Sequence, residues 1–305
     1  MVYTRTIYIT RVFSDSEVRV EVIKKDDLIR KAGDLRVLPF VARKVLETLN
    51  DENCSIDDLS DIIENDQTLA ARVLKISNSA LYGLRHEVTG LRQAILLLGF
   101  KTIRSLVLSV STRALYKKFG MTEKIIWEHS VGAAIAAKMI AGGLGSSELG
   151  EAAFVGGLMH DIGKVVLNNE TPDVFAEVMM KIYNDGVDSI VAEEEVYGYN
   201  HVEIGAGVVG KWGFSPLLVK IIENHHRTDY KTDDIKEPLT LSSIACVNLA
   251  DHVCKALGIG YRNRDETLVL HELPSAVFLK VPAGKLETLV KDINDTYTKE
   301  KSIFD

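Results

Sequence analysis

A histidine and an aspartate stand side by side at positions 160 and 161, inside the run GLMHDIGKVVL, with a lysine at 164. Imidazole and carboxylate groups are costly to bury without partners, so the pair calls for hydrogen bonding or for chemistry. Most of the eight histidines fall as polar insertions in apolar helical runs of the second half. They are His129 in IIWEHSVGAAIAA, His160, His201 in YNHVEIGAGVVG, His225 and His226 in KIIENHHRT, and His252 beside Asp251 in VNLADHVCKAL. His86 and His271 lie outside that core.

Taken singly, each histidine reads as a hydrogen-bonded core or boundary residue, and His252 as a surface neighbour of Asp251. Together, several separated segments each bring a nitrogen or carboxylate donor. That mixture suits iron, manganese, zinc or nickel, and a helical bundle can aim such donors at one centre. On a continuous helix, His160 and Asp161 are about 100° apart and approach a metal from different sides. The two oxygens of Asp161 could bridge two ions. Lys164 falls one turn beyond Asp161 on the same face, placed to contact a phosphate oxygen. The alternative for Lys164 is a plain ion pair with Asp161. His225 and His226 are adjacent, so they can point at different metals, or at a metal and a substrate.

The elements that must position these groups are mostly helical. Residues 3–24 alternate β-branched or aromatic residues with charged ones around the break SDSE, which predicts a β hairpin arm. From residue 39 the period is helical. Ser55 followed by Asp58 opens SIDDLSDIIEND as a capping box. LRQAILLLGFKTIRSLVLSVSTRALYKKF reads as two helices split near Gly99. Helices are then expected over 123–142, 148–167, 172–184, 188–197, 201–212, 215–226, 239–257 and 284–297. Strands do not alternate with helices and no repeat of fixed period occurs, which disfavours a parallel sheet or a solenoid. The expected fold class is mostly α, a multi-helix bundle with a small N-terminal β arm. Its expected divisions are an arm at 1–27, a domain at 28–260 with halves 28–120 and 121–260, and a C-terminal extension at 261–305.

Composition narrows the function. A net charge of −7 with acids spread along the chain argues against sequence-independent nucleic-acid binding, which needs a basic face. Cys54, Cys246 and Cys254 form no CxxC pair, so a disulfide framework or a cysteine zinc site is not expected and a reducing cytosol is the natural home. The start MVYTRTIYIT lacks the apolar core of a signal peptide, and Lys101 and Arg104 interrupt the longest apolar run. A soluble, cytoplasmic chain with no membrane partner is expected.

Over roughly residues 28–255 the sequence resembles the HDOD (HD-related output domain) family, within the HD superfamily of metal-dependent phosphohydrolases. The first half carries the pattern in LRVLPFVARKVLETL, LSDIIENDQTLAARVLKISNSALYG and VTGLRQAILLLGFKTIRSLVLS. The resemblance implies one metal held by His129, His160, Asp161 and Asp251. Likeness to the HD-GYP phosphodiesterases implies a second held through His201, His225 and His226, with Lys164 contacting phosphate and Asp161 at the reaction centre. One or two divalent transition metals are thus implied, iron or manganese first, with zinc or nickel as alternatives. Two departures stand out. HHRTDYKTDD replaces the Gly-Tyr-Pro continuation, which does not favour cyclic di-GMP hydrolysis, and Ile125 stands where some relatives place an acidic ligand for a third metal.

Three readings follow. The first is a cytosolic signalling protein with a retained mono- or binuclear metal site and a protein partner. The second is an active phosphohydrolase or phosphodiesterase on a nucleotide or cyclic dinucleotide. The third is a metal-free interaction scaffold whose histidines are structural remnants.

Overall fold

The computed structural model describes residues 23–34, 39–49, 53–231 and 234–304, with the backbone of Ile9–Thr10 and Arg19–Val20. The first helices are α1 (Lys25–Ala32), α2 (Phe40–Thr48), α3 (Ile56–Glu64), α4 (Gln67–Ser77) and α5 (Leu91–Thr112). Next come α6 (Met121–Gly142), α7 (Ser147–Met159), α8 (Ile162–Glu170), α9 (Pro172–Asp185) and α10 (Ser189–Tyr197). They are followed by α11 (His201–Lys211), α12 (Pro216–Asn224), α13 (Pro238–Leu257), α14 (Pro274–Phe278) and α15 (Ala283–Glu300). The fold is mostly α, as the periodicity implies.

The two strands, β1 (Ile9–Thr10) and β2 (Arg19–Val20), pair antiparallel with Ile9 opposite Val20. Most of the arm expected over residues 3–24 lies outside the described residues, and two paired dipeptides do not establish a hairpin.

Local signals account for several boundaries. Ser55 accepts from the Asp58 amide while the Asp58 carboxylate accepts from the Ser55 amide, so α3 starts on the expected capping box. Gly99, at φ 80° and ψ 162°, breaks α5 where the sequence splits. The run Leu91–Leu115 does meet the length and composition of a membrane span, despite Lys101 and Arg104, and corrects the expectation that none would. In its 18-residue apolar window 53% is buried inside the fold, as in a core helix. Helix α1 was not foreseen. It is fastened to the second half by Trp212 Nε1 donating to Ala32 O at 3.1 Å and Tyr199 Oη donating to Ile23 O at 2.7 Å.

The centre of the bundle is α6, packed most extensively on α7 and then on α13. Its buried run Gly132–Ala137 is small at every position except Ile135, which lets neighbouring backbones approach and places His129 deep in the molecule. The expected single helix over 148–167 is two. Helix α7 ends at Met159 and α8 starts at Ile162, so His160 and Asp161 occupy a break rather than adjacent positions of one helix. Asp161, at φ −96° and ψ 14°, lies in the bridge region between the helical and extended wells.

Candidate metal centre

Six segments deliver the site. His129 comes from the middle of α6, His160 and Asp161 from the α7–α8 break, and Lys164 from the first turn of α8. His201 opens α11, His225 and His226 follow α12, and Asp251 sits on α13. The residue Asn200 caps α11 by accepting from the amides of Val202 and Glu203, which fixes His201 at the helix start. Asn248 donates to His225 O at 2.7 Å and so pins the turn after α12 to α13. A Cβ at position 163 would collide with the His201 backbone, so glycine there allows α8 and α11 to bring Asp161 and His201 together.

The structure draws all the sequence-derived site residues into one centre. His129, His160 and Asp161 form one group and His201, His225 and His226 another, each with ligand atoms within 4.8 Å of one another, and each could hold a metal ion. Asp251 joins the first through its Oδ1, 3.1 Å from His129 Nε2. Asp161 lies between the groups. Its Oδ2 is 3.5 Å from His160 Nε2 and 3.7 Å from His129 Nε2, whereas its Oδ1 is 3.2 Å from His201 Nε2. Lys164 Nζ donates to Asp161 Oδ2 at 2.9 Å, so the plain ion pair is present. His252 stays half-buried outside both groups and bonds through Nδ1 to Asn248 O.

Hydrogen bonding shows why these donors suit a cation. His160 Nδ1 lies 2.7 Å from Gly157 O and His225 Nδ1 lies 2.8 Å from Ile222 O. A carbonyl only accepts, so each Nδ1 carries the proton and each Nε2 a lone pair. His201 is held the same way by Glu193, whose Oε2 is 2.6 Å from its Nδ1. Yet His201 Nε2 faces His225 Nε2 at 3.3 Å and His226 Nε2 at 3.2 Å. Between His201 and His225 there is no proton left to share, so their lone pairs oppose one another. Among the described residues, Asp161 Oδ1 is buried without a hydrogen-bond donor. A cation satisfies all of these acceptors at once, and second-shell bonds of this kind orient metal-bound histidines. The residues therefore fit a metal.

Electrostatics agree with that division. Burial pulls His160, His201, His225 and His226 below the ordinary imidazole value, leaving them neutral. His129 is the exception: burial lowers it, but the Asp251 carboxylate outweighs this and raises it. Burial alone would raise Asp161 and Asp251. Lys164 and the histidines instead hold Asp161 well below the carboxylate range, and His129 does the same for Asp251. Burial pushes Glu193 up to about 7, against the pull of Lys164.

Two contributors were missed in the sequence. Glu193 on α10 is fully buried and grips His201 from behind, yet it reads as the first of three consecutive glutamates. The loop after α13 covers His129: Ile259 O lies 3.3 Å from His129 Nδ1, and the Tyr261 ring packs edge-on at 5.1 Å. A Cβ at Gly260, which also has φ 72°, would collide with His129.

Comparison with known proteins supports the same fold. The HDOD domain pattern matches residues 35–228, a span that includes every residue of the centre except Asp251. An inferred phosphohydrolase from Shewanella amazonensis SB2B shares the fold with a TM-score of 0.69 at 24% identity, over 91% of this chain and 98% of that one. An HDOD domain protein of unknown function from Geobacter sulfurreducens gives a TM-score of 0.69 at 23% identity, over 92% and 98% of the two chains. A curated uncharacterized protein of Treponema pallidum is 22% identical over 219 residues, and this chain, 72% of it aligned, spans 42% of that protein's length. With the family pattern covering more than half of its length, the chain belongs to the HDOD family.

Proposed function

We propose that the chain is a cytosolic regulatory HDOD protein with a binuclear metal centre. His129, His160, Asp161 and Asp251 hold one divalent transition metal, and Asp161, His201, His225 and His226 hold the other. The observation that carries this reading is the position of the Asp161 carboxylate, one oxygen toward each histidine group and Oδ1 without a donor among the described residues. Iron or manganese is the preferred occupant, with zinc or nickel also compatible with nitrogen and oxygen ligands. Elemental analysis after reconstitution tests the reading. His160→Ala and Asp161→Ala are expected to lose metal while retaining helical circular dichroism, and absence of metal from the reconstituted wild type contradicts it.

A second reading, hydrolysis of a phosphoester in a nucleotide or cyclic dinucleotide, is favoured by two features. Lys164 carries its charge beside the centre, its value raised because Asp161 and other carboxylates outweigh burial. A cleft of about 630 Å³ adjoins His226 and is lined by Asn224, Arg227, Asn248 and His252. Metals held here supply Lewis-acid charge neutralisation and water activation. The chain's own part is to fix the imidazoles through their Nδ1 bonds and to present the Lys164 ammonium to a phosphate oxygen. A screen of phosphomonoesters, nucleotides and cyclic dinucleotides with manganese or iron tests it. Turnover that survives Asp161→Ala belongs to another site or a contaminant.

A further inference from the structure

A separate cavity of about 240 Å³ opens where α5, α7 and α12 meet. Leu108 of α5, Val155 of α7 and Leu217, Leu218 and Ile221 of α12 give it apolar walls. One of its charged groups is left without a partner among the described residues. Lys101 pairs with Glu148 at 2.8 Å on the rim, and Glu151 pairs through Oε1 with Lys138. The half-buried Arg104 guanidinium has no hydrogen bond or ion pair among the described residues. Burial works against its charge.

An unpaired guanidinium and apolar walls in one small cavity describe a ligand. We propose that the cavity binds a small amphipathic carboxylic acid, its carboxylate on Arg104 and its apolar body against Leu108, Val155 and Ile221. Inorganic phosphate satisfies the guanidinium but leaves the apolar walls unmatched. The position gives the occupant reach, because α12 runs into His225 and His226 and α7 runs into His160.

Titration calorimetry on the full chain tests this, with and without prior chelator treatment, using sodium acetate, butyrate, valerate, isocaproate, L-leucine and phosphate. Binding is expected to be saturable, to tighten about fourfold per methylene from acetate to valerate, and to survive chelation. Isocaproate is expected to exceed L-leucine, whose ammonium the apolar walls leave unmatched, and phosphate to be the weakest. Arg104→Met should weaken the acids at least tenfold while melting no lower than wild type, since it removes an uncompensated charge. Ala152→Phe, which fills the cavity and keeps Arg104, should abolish binding, and it decides the matter should Arg104→Met fail to fold. The proposal is overturned if no acid binds, if the variants bind as wild type does, or if chelation removes binding and so places it at the histidine centre.

Discussion

Glu193 takes two hydrogen bonds from a single residue, His201: one from its backbone amide at 2.7 Å and one from its ring Nδ1 at 2.6 Å. The carboxylate therefore sets both the start of α11 and the direction of the His201 Nε2 lone pair. Glu193→Gln keeps the size and an acceptor for both bonds but removes the charge that strengthens them. It is expected to preserve the fold and to weaken metal binding at the His201 group by about 10- to 100-fold. Metal titration of wild type and variant reads this directly, and equal affinities would show that Glu193 only caps the helix.

Gly163 is where two helices touch. Adding a methyl group there drives it into the His201 backbone. Gly163→Ala is expected to destabilise the fold by about 1–3 kcal/mol, as overpacking does, and to lower metal content by displacing α11. Chemical denaturation and elemental analysis measure the two effects. A variant as stable and as metal-rich as wild type would mean that α8 and α11 separate freely.

A pH effect is predicted at the end of α8. Glu170 pairs with Lys31 of α1 and with Lys117, and its side chain is only 7% exposed. Burial raises its pKa, but the two lysines outweigh that and hold it below the ordinary glutamate value. A depressed folded pKa stabilises above the unfolded pKa, and that contribution is lost as pH falls through the folded value. Glu170→Gln should thus be less stable than wild type at neutral pH by about 1 kcal/mol, with the gap closing in acid. Urea midpoints across the acidic range check it, and a gap that persists after protonation would assign the loss to packing.

Lys164 separates binding from chemistry. Lys164→Met removes the ammonium while leaving every donor of the two histidine groups in place. Metal content is expected to hold, and any phosphoester turnover to fall by at least about tenfold, as for loss of a charged hydrogen bond. Unchanged turnover would confine Lys164 to its ion pair with Asp161.

Much of this centre is legible in the sequence because its donors interrupt apolar helices, where a polar residue stands out. The α7–α8 break was not legible. Apolar residues continue on both sides of His160 and Asp161, so the periodicity reads straight through, and only packing against α6 and α11 shows the interruption. Glu193 was hidden for the opposite reason. It is one of three glutamates in a row, and which of them turns inward depends on the phase of α10. Its distance of eight residues from His201 was the one available hint. Arg104 read as a charge that merely interrupts an apolar run, since an unpaired partner cannot be seen without the neighbouring helices.

The binuclear centre is tested most directly by anomalous diffraction at the metal absorption edge, on crystals grown from protein reconstituted with manganese or iron. The account predicts two anomalous peaks, one on each side of the Asp161 carboxylate, one within reach of His129, His160 and Asp251 and the other of His201, His225 and His226. Crystals of fully reconstituted protein with no peak there, or with metal bound only away from Asp161, would contradict it.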